Sequence, residues 1–235
     1  MSVENFKLFL KEDKKDERTI NDYVVRVERF LDYLNDVKKI SIEKVQKQDL
    51  LDFFEYLKGK ETSSTINRFT FAMTNYFKAA NNQELYKAAG ELNGQLSIEQ
   101  YKLKDFLGVN KETIDKLANQ KIRTANQMIE QGKTIQSRKQ LSTETGISEE
   151  EILELVKLSN LARIGGLKSK RARLYYESGF DTIEKIAEST PDEIVKLQEK
   201  YVAESNFDGR ASVLSEAEYS ITLANYLPKI IEYEE

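Results

Sequence analysis

The chain of 235 residues carries at positions 161–175 the stretch Leu161-Ala-Arg-Ile-Gly-Gly-Leu-Lys-Ser-Lys-Arg-Ala-Arg-Leu-Tyr175. We interpret it as a helix end, a tight hairpin with an apolar-glycine-apolar pattern, and the start of a second helix. Gly166 can adopt a positive φ and leave backbone N–H groups uncovered, and a helix N-terminus favours anions. Cations there oppose the helix dipole, so they indicate a phosphate partner rather than a local gain in stability. The predicted phosphate contacts are Gly166, Lys168, Ser169, Lys170, Arg171 and Arg173.

The composition favours an all-helical protein. The chain has only two prolines and ten glycines and is rich in residues that favour helices. It has no cysteine, which excludes disulfides and thiolate metal sites. No apolar run approaches the roughly 18 residues of a membrane span, and the N-terminus lacks the pattern of a signal peptide. We therefore expect a cytoplasmic protein with no membrane partner and no cofactor.

Histidine is also absent, which removes the commonest general base, the commonest zinc ligand and the middle member of a Ser-His-Asp triad. The sequence contains no calcium loop, no phosphate-binding Gly-Lys-Ser/Thr loop and no dinucleotide fingerprint. We expect no catalytic residues, no metal ligands and no enzymatic activity. An enzyme would need a carboxylate-metal site that the motifs do not show.

The charge is distributed unevenly along the chain. The formal net charge is −4, yet residues 102–173 carry fifteen Lys/Arg against nine Asp/Glu, and residues 174–235 carry five against fourteen. Such asymmetry is more informative than the total, and it indicates a basic surface within the first of these segments. The alternative is a solvated helix face, with an acidic end that supports solubility.

Four stripes of apolar residues at helical spacing mark the first 90 residues. They begin near Val3, Ile20, Leu50 and Ile66, and we place the cap of the second helix at Thr19. A single helix of this kind cannot bury its stripe alone, so the four are expected to pack as a bundle.

This pattern resembles the N-terminal core-binding (SAM-like) domain of tyrosine recombinases and phage integrases. The resemblance covers about residues 3–90 and rests on Thr19-Ile-Asn-Asp-Tyr23, Phe30-Leu-Asp-Tyr-Leu34, Ile42 with Asp49-Leu-Leu-Asp-Phe-Phe54, and Ser63-Ser-Thr-Ile-Asn-Arg68 with Tyr76-Phe77. It implies a helical bundle that clasps DNA, with the polar start of the fourth helix near the backbone. There the residues expected to contact DNA are Lys58, Lys60, Ser64, Thr65 and Arg68. The recombinase catalytic domain is absent, so strand cleavage is not expected.

A boundary between two domains is predicted between residues 82 and 96. Asn81-Asn82-Gln83 and Gly90-Glu-Leu-Asn-Gly94 interrupt the helical pattern, and a new helix is expected at Leu96-Ser97, with Ser97 and Gln100 as a capping box. The predicted domains are residues 1–88, the integrase-like bundle, and residues 96–235, which include a C-terminal acidic helix.

The second half contains an internal repeat with an offset of 58 residues. The matched positions are Gly108-Val109 with Gly166-Leu167, Ile114 with Ala172, Leu117 with Tyr175, Ile122-x-Thr124 with Phe180-x-Thr182, and Met128 with Ile186. A repeat of this kind indicates a duplicated supersecondary unit.

The repeated unit resembles the helix-hairpin-helix motif, and residues 98–200 are similar to a tandem helix-hairpin-helix family with no assigned function. The segment Arg138-Lys-Gln-Leu-Ser-Thr-Glu-Thr-Gly-Ile147, with Leu161-x-Arg163-Ile164, fits that family. The resemblance implies contact with the DNA backbone without base reading, with Lys170 at the position that usually faces phosphate. In the first copy Asn110 replaces the second glycine and Glu112 would repel phosphate, so we expect the first hairpin to be structural.

The sequence thus predicts an all-α protein with an N-terminal four-helix bundle and a duplicated helix-hairpin-helix domain. The expected function is non-catalytic binding to the backbone of duplex or branched DNA, accessory to recombination or DNA maintenance. The alternative is a protein-interaction adaptor built from the same modules, which the net acidity and Glu112 favour. The oligomeric state stays open.

Overall fold

The computed structural model describes residues 1–99 and 101–233, without the side chains of Ser63, Ser64, Ser97 and Glu99. Over these ranges the regular secondary structure is helical, apart from one isolated antiparallel bridge between Lys102 and Thr124. The all-α prediction is confirmed. The chain divides into two compact units, Met1–Asn93 and Gly94–Glu235. No helix within the described residues is long and apolar enough to cross a bilayer.

The first unit holds the four helices predicted from the apolar stripes and the start of a fifth. Their bounds are α1 Val3–Glu12, α2 Glu17–Tyr33, α3 Lys47–Lys58, α4 Ser63–Ala79 and α5 Gln83–Glu99. The cap assigned to Thr19 is wrong. The side chain of Asp16 caps α2 by accepting a hydrogen bond from the Thr19 N–H at 2.9 Å, because a carboxylate there also favours the helix dipole.

Aromatic side chains fill the core of the first unit. The ring of Phe53, fully buried on α3, lies 5.0 Å from Phe30 and 5.7 Å from Phe54 and from Phe69, measured between centroids. Tyr76 is also fully buried, and its hydroxyl donates to the Met1 carbonyl at 2.7 Å. The rings come from α2, α3 and α4, so the apolar stripes read from the sequence face one common core.

The predicted break at residues 90–94 is wrong, because α5 is continuous from Gln83 to Glu99. The boundary between the two units falls inside this helix. Gly94 serves packing rather than a turn, since a Cβ there would lie 2.1 Å from the Arg163 carbonyl oxygen. The capping box assigned to Ser97 and Gln100 lies outside the described residues.

The second unit contains eight further helices among its described residues. They are α6 Lys111–Asn119, α7 Ala125–Gly132, α8 Ile135–Thr145, α9 Glu149–Leu161, α10 Lys170–Glu177, α11 Ile183–Glu188, α12 Pro191–Glu204 and α13 Leu214–Tyr226. One apolar core extends through the unit and includes fully buried Leu117, Met128, Ile152 and Tyr175.

The backbone of the second unit repeats itself at the offset seen in the sequence. Gly108 and Gly166 have φ of +78° and +92°, and Lys121 and Gly179, also 58 residues apart, have φ of +64° and +98°. Thr124 caps α7 and Thr182 caps α11 in the same way. These matches support a repeat, and its identification as two helix-hairpin-helix motifs stays a prediction.

Two buried arginines hold the last described residues against the second unit. Arg138, only 4% exposed, donates to the carbonyl of Glu232 at 2.7 Å and to that of Gly132 at 2.9 Å. Arg163 donates to the Pro228 carbonyl at 3.1 Å. Residues 228–233 are therefore part of the packed unit, although they follow its last helix.

Candidate nucleic-acid interface

The second hairpin, residues 164–167, has the backbone that the sequence predicts. Gly166 is exposed with a φ of +92°, and a Cβ on it would meet no atom within 4 Å. Ser169 follows with a φ of +44° and makes no capping hydrogen bond, and α10 starts at Lys170. The turn therefore exposes backbone at the start of α10, as a phosphate contact requires. The side chains around it decide whether phosphate can bind.

Lys170 is exposed and already paired. Its Nζ forms an ion pair with the carboxylate of Asp208 and donates to the Asp208 carbonyl at 2.9 Å. The hydrogen bond from Lys170 lowers the pKa of Asp208 below its ordinary value. A phosphate at Lys170 would have to compete with this carboxylate.

Arg171 is held by the loop and helix that follow α12. It donates to both carboxylate oxygens of Glu216, at 3.1 and 3.0 Å, and to the Ser212 hydroxyl at 3.2 Å. Arg210 binds the same carboxylate through a second pair of bonds. Burial raises the pKa of Glu216, but the hydrogen bond from Arg210 and the charge of Arg171 outweigh it, and the net shift is downward.

Arg173 is a buried structural residue, only 7% exposed. Its guanidinium donates to the Leu107 carbonyl at 2.8 Å, to Glu154 at 2.7 Å and to Glu177 at 3.0 Å. It therefore joins α10 to the first hairpin, residues 107–110, and to α9. Gly108 lies beside it, since a Cβ there would be 3.4 Å from the guanidinium, and its φ of +78° is what favours glycine at this position.

Lys168 is partly buried, and its Nζ lies 5.4 Å from the centroid of the Tyr101 ring. Burial lowers the pKa of Lys168 and raises that of Tyr101. Each of the four predicted cations of the second hairpin thus has a partner inside the second unit. Asp208 and Glu216 come from the acidic C-terminal segment, which neutralises the basic start of α10.

The start of α4 has a different environment. Thr62 caps the helix by accepting from the Thr65 N–H at 3.3 Å, and the first turn contains no acidic residue. Lys60 is exposed, with its Nζ 3.6 Å from the centroid of the Tyr56 ring. Lys58 pairs with exposed Glu55 at 2.6 Å. The predicted contact at Ser64 lies outside the described side chains.

Arg68 is 54% exposed and shares a carboxylate with a second arginine. Its guanidinium lies 2.6 Å from Asp22, which Arg26 also contacts at 2.6 Å. Arg29 on the same helix as Arg26 pairs with Glu61 at 2.5 Å. We call the residues 58–68, with these partners on α2, the α3–α4 corner. It brings Lys58, Lys60, Thr65 and Arg68 to one end of the first unit.

A second set of exposed cations, not predicted from the sequence, lies in the second unit. Its members are Lys102, Lys104, Lys121 and Arg123. These four residues contribute to the excess of Lys/Arg in residues 102–173, but no sequence motif marks them as a group. Within the described residues no group of three or more acidic side chains is arranged to hold a metal ion.

Two family matches agree with this architecture. The chain is an all-α protein, and residues 3–84 of its first unit match the family described as Phage integrase, N-terminal SAM-like domain. Residues 107–224, half of the chain, match the family described as Domain of unknown function (DUF4332). The chain belongs to this DUF4332 family, and the resemblance to an integrase N-terminal domain fused to it is confirmed. No curated protein and no solved structure gives a match.

Proposed function

We propose that this protein is a non-catalytic, cytoplasmic DNA-binding protein that contacts the phosphate backbone through the α3–α4 corner, with little sequence preference. The observation that carries the proposal is the start of α4, where the cap Thr62 is exposed, the first turn has no acid, and exposed Lys58, Lys60 and Arg68 lie nearby in the chain. Helix N-termini and nearby cations are a recurrent phosphate site. The match to the integrase N-terminal domain favours DNA as the source of that phosphate.

The ion pairs of the corner leave cations available for this role. Lys60 has an aromatic ring beside it and no carboxylate within ion-pair distance among the described residues. Arg68 can move from Asp22 to a phosphate without leaving that carboxylate unpaired, since Arg26 also holds it. Such contacts position a protein on DNA but carry little base information, so binding is expected to depend strongly on salt.

The second hairpin is not part of this proposal. Phosphate binding there would have to displace Asp208 from Lys170 and Glu216 from Arg171, and Arg173 is buried. A protein-interaction adaptor built from the same modules stays the alternative function.

The test is fluorescence anisotropy of two unrelated labelled duplexes and a four-way junction, titrated with the full chain over a salt series. Wild type is expected to bind both duplexes equally, with log K falling by about 0.9 per phosphate contact for each decade of salt. The double variant K60Q/R68Q is expected to flatten that slope by about 1.8. No binding at low salt would refute the proposal.

The matched control is K44Q/K78Q, which removes two exposed lysines from the same unit. Lys78 lies in the last turn of α4, roughly 22 Å from its start at a rise of 1.5 Å per residue. The control is expected to leave the slope near wild type. Equal effects of both double variants would mean that general charge, and not the α3–α4 corner, attracts the DNA. A flattened slope for K170Q/R171Q would restore the second hairpin as the contact.

A further inference from the structure

Four exposed cations lie together in the second unit, at the antiparallel bridge between Lys102 and Thr124. We call Lys102, Lys104, Lys121 and Arg123 the bridge patch. Two hydrogen bonds join the facing segments, from Leu103 N to Arg123 O at 2.9 Å and from Ala125 N to Tyr101 O at 2.8 Å. Lys102 and Arg123 therefore occupy neighbouring positions on the two facing segments.

The backbone under the bridge patch is held by buried neighbours. Leu103 and Ala125 are fully buried, Ile122 is 4% exposed, and the N–H of Ile122 donates to the Leu117 carbonyl at 2.9 Å. Lys121 precedes them in a left-handed conformation with a φ of +64°. The four cations thus stand on a backbone held by buried neighbours, which sets the positions of their Cα atoms while the side chains stay mobile.

Exposed Asp105 follows Lys104, but no carboxylate in the described part of the chain lies within ion-pair distance of the bridge patch. None of its four cations forms an ion pair there, and the first turn of α7, which starts beside Arg123, contains no acid. Lys102 faces Thr124 across the bridge and Arg123 is the next residue, so the two positive charges lie on adjacent positions and repel each other. Their presence in an acidic protein of net charge −4 is therefore poorly explained by stability and points to an external anion.

The second copy of the repeat supplies an internal comparison. At an offset of 58 residues, Gly179 stands for Lys121 and Asp181 stands for Arg123. Asp181 accepts hydrogen bonds from Lys157 at 2.5 Å and from Lys185 at 2.6 Å, so this corner is neutralised within the protein. Two corners with the same backbone geometry thus carry opposite arrangements of charge, and only the first copy leaves cations exposed without a carboxylate.

We propose that the bridge patch binds the phosphate backbone of nucleic acid and gives the second unit its own contact with DNA. This inference rests on the proposed function, since it assigns a second set of contacts to the same ligand. Lysine and arginine side chains on a fixed backbone suit a row of phosphates, and they carry no base specificity. The second unit would then bind through the first copy of its repeat, at the corner before α7, and not through the basic hairpin before α10.

The experiment titrates labelled duplex with the full chain and compares two triple variants. K102Q/K121Q/R123Q removes three charges from the bridge patch, and K196Q/K200Q/K229Q removes three exposed charges elsewhere in the same unit. The patch variant is expected to flatten the salt slope by about 2.7 and to weaken binding at least tenfold at about 0.1 M salt. The control is expected to stay within about twofold of wild type.

Each outcome separates this inference from the proposed function. Suppose that wild type binds DNA, K60Q/R68Q binds more weakly, and the patch variant binds like its control. This result would refute DNA binding by the bridge patch and leave the proposal for the α3–α4 corner standing. Wild type that binds no DNA would overturn both. Loss of binding by the patch variant alone, with a normal circular dichroism spectrum, supports the inference.

A single substitution keeps the test valid if the triple variant does not fold. K121G places at residue 121 the residue that the second copy has at Gly179, in a conformation that glycine adopts without strain. It is expected to unfold at the same urea concentration as wild type or a higher one, and still to flatten the salt slope by about 0.9. An unchanged salt slope would mean that Lys121 does not contact the DNA.

Discussion

Replacement of Arg173 by methionine tests the conclusion that the most buried cation of the second hairpin is structural. Methionine keeps the apolar stem of the arginine, which packs in the core, and removes the guanidinium. Three hydrogen bonds disappear, to the Leu107 carbonyl and to the carboxylates of Glu154 and Glu177. The connection between α10, α9 and the first hairpin is lost with them.

The expected loss in free energy of unfolding depends on the acceptor groups that lose their hydrogen bonds to the guanidinium. Removing one partner from a fully buried ion pair costs about 3–5 kcal/mol. The side chains of Glu154 and Glu177 are 31% and 38% exposed, so they regain part of their hydration and the loss is reduced. The hydrogen bond lost at the Leu107 carbonyl adds about 1 kcal/mol. We expect Arg173→Met to lower the free energy of unfolding by about 2–4 kcal/mol.

The assay is urea unfolding followed by circular dichroism at 222 nm, because the chain contains no tryptophan. The two compact units can unfold in two separate transitions. The substitution is expected to lower the urea midpoint of the transition of the second unit and to leave the other midpoint unchanged. The matched control is Lys170→Gln, at an exposed ion pair on the same helix, where little change is expected. A loss below about 1 kcal/mol for Arg173→Met would refute the structural role.

Three further outcomes are expected. Arg138→Met should cost about 2–3 kcal/mol in urea unfolding and should speed proteolysis after residue 227, since it loses the Glu232 carbonyl. Gly94→Ala should destabilise the protein more than Gly166→Ala. The new Cβ at residue 94 would lie 2.1 Å from a carbonyl oxygen, whereas at residue 166 there is open space and the cost is that of the positive φ alone, about 1 kcal/mol. The lowered pKa of Glu216 contributes stability above about pH 4.5 that is lost as pH falls through the folded value. The urea midpoint should therefore fall less between pH 6 and pH 3 for Glu216→Gln than for wild type.

Much of the fold could be predicted from local patterns. The stripes beginning at Val3, Leu50 and Ile66 became α1, α3 and α4, since a helix must bury an apolar face that repeats every 3.6 residues. The repeat offset of 58 residues also reappears in the backbone, as the positive φ of Gly108 and Gly166 shows. A glycine within a turn pattern depends on its neighbours along the chain, so it can be recognised from the sequence alone.

The break assigned to Gly90–Gly94 shows where local rules fail. Glycine weakens a helix by about 1 kcal/mol, which suggested a linker, yet α5 passes through this segment. Gly94 is tolerated because it allows the helix to approach the Arg163 carbonyl, 69 positions further along the chain. A packing requirement of that kind leaves no mark in the neighbouring residues.

The sequence by itself determined the helical class, the repeat, the left-handed glycine of the second hairpin and the positions of its cations. The tertiary structure alone decided which cations are available to a ligand. Asp208 and Glu216 reach Lys170 and Arg171 across 38 and 45 residues of chain. Lys102, which faces Thr124 across the bridge, and the neighbouring Arg123 have no carboxylate partner among the described residues. Ion pairing depends on distances of a few ångströms in space, and those distances exist only after the helices have packed.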